Sequence, residues 1–149
     1  MLVHARGLAV LFLGLVSVLD AAQGQSVAET AARWGLLGSW RIDCGQPISS
    51  SNGDLSYVVR SGMLFHDREF GNTRDSNPVV AATAKRNGML EITVNFRALS
   101  QTRQFSFIKG RDGRIRAIAN RNVETDEYTV KDGKLIANGN MTPWQTRCN

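Results

Sequence analysis

Residues 89–100 read MLEITVNFRALS. Leu90, Ile92, Val94, Phe96 and Ala98 fall on one side of an extended chain, and Glu91, Thr93, Asn95 and Arg97 on the other. Successive side chains of a strand point to opposite faces, so this period of two marks a half-buried β-strand. A helix would scatter the same residues around its circumference.

Turn signals recur on both sides of this segment: Asn52-Gly53, Ser61-Gly62, Asn87-Gly88, Asp112-Gly113 and Asp132-Gly133. Such pairs supply the positive φ angles of tight hairpins. Between them lie strand-like runs at 55–60, 63–70, 78–86, 89–98, 102–109, 114–123, 127–131, 134–138 and 144–148. The stretch 36–44 alternates as well, with Leu36, Gly38, Trp40, Ile42 and Cys44 opposite Ser39, Arg41 and Asp43. Before it, Ser26 and Glu29 form a capping box and Gly35 a stop, which predicts a short N-terminal helix. Hairpins without crossover helices make an antiparallel up-and-down meander. Closure removes exposed edges, so the expected fold is all-β: a small closed barrel of about 8–10 strands.

The first residues have the layout of a secretory signal: Arg6, an apolar run from Gly7 to Leu19, and the small-x-small site Ala22-Gln23-Gly24. The run is shorter than the roughly 20 residues that a membrane span needs. The expected organisation is a signal peptide over 1–24 and one β-barrel domain over 25–149, secreted or periplasmic, with no membrane span after signal removal. The chain has two cysteines, Cys44 and Cys148. In an exported domain they are expected to pair as a structural disulfide, since a redox-active pair ordinarily has close spacing. If the two lie on the first and last strands, the bridge staples the seam of the barrel; a tail crossing the barrel would reach Cys44 equally.

A short helix followed by Gly38-Ser39-Trp40 at the start of an antiparallel meander resembles the calycin group: lipocalins, avidins and fatty-acid-binding proteins. The resemblance implies a barrel base at Gly38 and Trp40, with Arg147 over the Trp40 ring, and an interior that takes a small ligand. Thr125-Asp126-Glu127-Tyr128 is similar to the lipocalin T-D-Y turn with one residue inserted. The chain lacks room for a lipocalin C-terminal helix, the Trp-rich pocket of avidins and the helical lid of fatty-acid-binding proteins.

Catalytic chemistry finds little support. His66 is the one histidine outside the signal, and its neighbour Asp67 points to the opposite strand face while Arg68 shares its own. Acid–base work or haem ligation at His66 competes with a plain strand histidine. A metal site needs three or four convergent ligands, and no serine sits in a nucleophile elbow. No enzyme activity, metal or cofactor is therefore expected.

Ligand-binding candidates are Phe105, Phe107, Trp40 and Trp144, which equally suit core positions. Ala82, Ala84, Ala117 and Ala119 place small residues at alternate positions, which would leave room beside the phenylalanines. Lys109, Arg111, Arg114 and Arg116 cluster on one hairpin of a chain with net charge +5. They suit an anionic surface or protein partner, or act as solvated edge charges. Aromatic residues do not interleave with them as stacking platforms would, which disfavours nucleic acid. The leading expectation is a non-enzymatic barrel that binds a small, mainly apolar ligand. The alternative is an interaction module, such as an inhibitor of a secreted hydrolase. N-terminal sequencing of the exported form should begin at Gln25; a chain that retains Met1 would overturn the processing site.

Overall fold

Helix formation at the start of the chain follows from its caps. In the computed structural model, which describes residues 26–148, α1 (Val27–Trp34) has the full reciprocal capping box of Ser26 and Glu29 and ends at Gly35 with φ +92°. Only glycine takes that left-handed angle without a Cβ penalty. The signal segment 1–24, the cleavage product's expected first residue Gln25, and Asn149 lie outside the described residues. Val27, Thr30, Ala31 and Trp34 share one helix face by their spacing. That face is laid on the sheet: Ala31 is fully buried, Val27 and Trp34 pack against the core, and the Trp34 indole donates to Gly88 O at 2.8 Å.

Ten strands follow: β1 (Gly38–Arg41), β2 (Asp54–Arg60), β3 (Met63–Glu69), β4 (Arg74–Ala84), β5 (Leu90–Phe96), β6 (Gln101–Lys109), β7 (Ile115–Asn122), β8 (Tyr128–Lys131), β9 (Lys134–Leu135) and β10 (Thr146–Cys148). They form one antiparallel sheet in which β1 to β9 run in chain order and β10 returns to pair with β1. The all-β meander with a short helix is thus present. The sheet is not closed, because its last members, β9 and β10, do not pair with each other. Between them the chain 141–145 forms a strap. The Thr142 hydroxyl donates to Ala117 O at 2.6 Å, and Gln145 exchanges two backbone hydrogen bonds with Ile115, of 2.8 and 3.0 Å.

The inner face of β5 is formed as the alternation requires at Leu90, Ile92, Val94 and Phe96, which are all buried, but Ala98 does not continue it: the strand ends at Phe96 and Ala98 is exposed in the 3-10 turn Arg97–Leu99. Registers extend this row across the sheet, with Leu90 opposite Phe107, Ile92 opposite Phe105 and Val94 opposite Arg103. Tyr57 lies opposite His66 on the β2–β3 pair. Near the helix the inner face is solid, built from Ala31, Leu36, Trp40, Leu64, Val79, Leu90, Phe107 and Ile115.

Four local expectations are corrected. β1 ends at Arg41, so Ile42 and Cys44 do not continue its inner face, and Ile42 is 45% exposed. The chain turns there because Asp43 accepts from Gly45 N, and the buried Asn52 amide donates to Asp43 O, Gln46 O and Pro47 O. Gly53 serves close packing rather than a positive φ, since a Cβ on it would stand 2.3 Å from the Phe70 ring. β4 starts at Arg74, earlier than the apolar pattern suggests. Its polar first residues are held by ion pairs, Arg74 with Glu69 at 2.8 Å and Arg68 with Asp75. Finally, a register shift between Ser106 and Phe107 puts Ala117 opposite Phe107 but Ala119 opposite Ser106. A bulge reverses which residues face inward, so Ala117 and Asn120 line the interior and Ala119 does not. Ala84 is exposed at the end of β4.

Cys44 and Cys148 are bonded, with 5.5 Å between Cα atoms and a separation of 104 residues. Cys44 lies in the turn after β1, so the bridge ties that turn to the final strand. Closing a loop of about 100 residues stabilises by up to about 4.7 kcal/mol on the chain-entropy account. Replacing either cysteine with Ser should lower the urea midpoint by an amount equivalent to about 2–5 kcal/mol; an unchanged midpoint would show that the bridge adds nothing to the ladder.

Candidate functional site

Away from the helix the inner face is not filled. Two adjoining cavities of about 350 and 120 Å³ share Leu55, His66 and Phe105 as common walls. The larger opens among Arg68, Phe70, Phe96, Leu99 and Arg103, and the smaller among Tyr57, Phe107, Ala117 and Gln145. Together they form an elongated cleft whose body is aromatic and whose mouth is polar. Period-two alternation and the β7 bulge put these side chains there.

His66 is the centre of the aromatic wall. Its ring stacks on Tyr57 at 4.6 Å between centroids, and the rings of Phe105 and Phe96 lie edge-on at 6.0 and 6.2 Å. Phe105 stacks in turn on Phe107 at 6.0 Å. The side chain is 2% exposed and its Nδ1 has no hydrogen-bond partner. Of the plain readings, a solvated or a hydrogen-bonded strand histidine, burial excludes the solvated one, because Asp67 and Glu69 point to the other face. Desolvation first, and the Arg68 charge second, push its pKa down to about 3. Burial likewise raises the Tyr57 phenol, which stays protonated.

Three cations of β3 and β6 occupy the inner rows or their ends. Lys109 donates to Trp34 O, at the C-terminal end of α1, and lies 4.4 Å from the Trp34 ring centroid. Cations are favoured there by the helix dipole. Arg68 forms a two-pronged pair with Asp75 over the Phe96 ring, 4.4 Å from its centroid, and the pairing holds the Asp75 carboxyl below its usual range. Arg103 instead donates to Asn120 at 2.6 Å, Gln101 at 3.3 Å and Thr129 at 3.1 Å.

A second cleft, of about 430 Å³, lies at the helix end and is lined by Gly35, Trp40, Lys109, Asp112, Gly113, Arg114, Thr146 and Arg147. Trp40 is 1% exposed, its indole donates to Leu36 O at 2.7 Å, and the Arg147 guanidinium lies 4.9 Å from its ring centroid. Arg147 also donates to Gly35 O and passes 3.5 Å from the position a Cβ on Gly38 would take.

The candidate residues named from sequence therefore separate into two places. Phe105 and Phe107 line the aromatic cleft. Trp40 walls the basic one, while Trp144 lies outside both, between Arg116 at 4.9 Å and Arg114 at 5.8 Å. Its neighbours Pro143 and Gln145 face the aromatic cleft instead. Lys109 and Arg114 meet in the basic cleft, joined there by Arg147 rather than by Arg111 or Arg116. Tyr57, Gln101, Arg103 and Asn120 were missed. For Arg103 a signal existed, since it is in phase with Phe105 and Phe107 along one strand. Thr125 to Glu127 lie in the β7–β8 turn and Tyr128 opens β8, with Asp126 at φ +62° and paired to Arg121 at 2.7 Å. Compared with protein-family models, curated proteins and solved structures, the chain matches none.

The buried imidazole has a consequence for stability. Unfolded, His66 takes up a proton below about pH 6.5, whereas in the fold it resists protonation down to about pH 3. The unfolded state thus binds more protons in that window, so stability is complete above pH 6.5 and falls with pH below it. The loss should reach at most about 1.4 kcal/mol per pH unit. Arg68 accentuates it, while Asp67 and Asp75 oppose it. The depressed carboxyls of Asp67 and Asp75 add their own losses only below about pH 4. Urea midpoints measured from about pH 7.5 to about pH 4.5 should slope downward with acidification, and His66→Phe should flatten that slope. An unchanged slope in the variant would assign the titration elsewhere.

Proposed function

We propose that this protein binds one small, mainly apolar molecule in the aromatic cleft, and that the ten strands act as a barrel-like container around it. The observation that carries the reading is the pair of adjoining cavities walled jointly by Leu55, His66 and Phe105. Their combined extent falls within the range of small-molecule sites, which are concave, mostly apolar and fitted with a few polar groups. Barrels of about this strand number either fill with side chains or hold one small ligand. Here the inner face under the helix is packed by Ala31, Leu36, Leu64 and Leu90, and the inner face away from it is hollow. Support for a functional barrel comes from the strap, since the Gln145–Ile115 exchange and the β1–β10 pairing carry the chain from β7 to β1.

The role is binding rather than catalysis. His66 is held neutral and wedged among rings, a setting that suits a wall better than a proton shuttle. Export fits the disulfide, and no helix among the described residues is long and apolar enough to cross a membrane.

A second reading assigns the basic cleft to an anionic surface or a protein partner. It is favoured by the convergence of Lys109, Arg114 and Arg147 around one depression with the single carboxylate Asp112.

Titration with an environment-sensitive apolar dye should saturate at about one per chain and be displaced by material extracted from the native protein. Asn120→Trp, at the mouth, should weaken the dye by tenfold or more without unfolding the protein. Binding that never saturates would end the container reading and move attention to the basic cleft.

A further inference from the structure

We propose that the ligand of the aromatic cleft is an amphipathic anion, with an apolar body against Phe96 and Phe105 and a carboxylate-like or sulfonate-like head on Arg103. The inference rests on the reading of that cleft as a ligand site and names the chemistry it selects.

The three inner cations differ in how their charge is answered. Lys109 is turned to the carbonyl end of α1, and Arg68 has its full fork on Asp75. Arg103 has neutral acceptors alone: an asparagine, a glutamine and a threonine oxygen. Among the described residues no carboxylate comes within ion-pair reach of it. Glu127 acts on it only as a distant opposing charge. Neutral acceptors orient a guanidinium but do not cancel its charge.

The guanidinium also keeps donors in reserve. A guanidinium carries five N–H donors. The three bonds of Arg103 start from three different nitrogens, so each terminal nitrogen retains one hydrogen. Two terminal N–H groups are what a planar or tetrahedral oxyanion takes up in a forked contact. Arg103 stands at the mouth of the larger cavity, with Phe105 two residues along the same strand face and Phe96 and Leu99 across from it. A ligand whose head is on Arg103 therefore lays its body on these apolar groups and toward the His66 ring.

A matched pair of dyes tests the charge separately from the cavity. Anilinonaphthalene sulfonate and its uncharged parent, N-phenylnaphthylamine, share the aromatic body and differ in the anionic group. The wild-type protein should bind both at one per chain, with the sulfonate at least about tenfold tighter, the size of one charge-assisted contact. In Arg103→Gln the ratio of the two affinities should collapse toward one, and Arg103→Lys should restore part of it. Equal affinity of the wild-type protein for both dyes, or a preference that survives Arg103→Gln in a variant with unchanged circular dichroism, would overturn the anionic head and leave the apolar container standing. Failure of both dyes to bind at one per chain would overturn the container and this inference with it.

Discussion

The indole of Trp40 is buried beneath the Arg147 guanidinium and donates to Leu36 O, so one side chain ties the helix exit, the first strand and the last strand together. The contact between cation and ring contributes about 0.5–2 kcal/mol by itself. Its larger effect is positional. Trp40 faces Arg147 across β1–β10 and Leu55 across β1–β2, so the ring decides where the chain's two ends meet. Arg147 then reaches Gly35 O, and Lys109 reaches Trp34 O, which holds the carbonyl end of α1 against the sheet with positive charge. The disulfide sits beside this junction and keeps the final strand from leaving it.

With one end of the sheet locked, the interior divides. The apolar helix face fills the space above Leu64, Leu90 and Ile115. Among the described residues no second α-helix covers the other end, where the short 3-10 turn Arg97–Leu99 lies and the inner rows continue past α1 into Arg68, Phe96, Gln101 and Arg103. Polar side chains replace aliphatic ones there because they must meet water or a ligand. The cleft is thus a consequence of covering a ten-stranded sheet with a helix of eight residues. His66 marks the boundary: it is polar by type, yet neutral and walled by rings.

The outer face follows a different logic. Arg60 forks onto Asp67 at 2.7 and 2.8 Å and lies 4.4 Å from the Phe65 ring centroid, and Arg121 pairs with Asp126. Such exposed pairs each contribute little, but they space charges along strands whose edges would otherwise attract other chains. The basic cleft belongs to this outer logic as well as to the helix cap, which is why Lys109 serves both.

Alternation in MLEITVNF, the turn pairs and the capping box were enough to establish a helix followed by an antiparallel meander of about 8–10 strands, because each depends on local geometry alone; the strand number and the open, unclosed sheet were not legible. The pairing of Cys44 with Cys148 was also legible, since two cysteines in one domain leave one choice. Three things needed the tertiary structure. The bulge at Ser106–Phe107 is one, as a single extra residue inverts the faces of Ala119 and Asn120 without any mark in composition. The burial of His66 is another, because it depends on Tyr57, Phe96 and Phe105 arriving from three other strands. The last is the difference among the inner cations of β3 and β6, where Arg68 has an acidic partner, Lys109 a helix-end carbonyl and Arg103 neither. Charge is read residue by residue along a chain, but its compensation is decided by neighbours that only long-range pairing brings within a few ångströms.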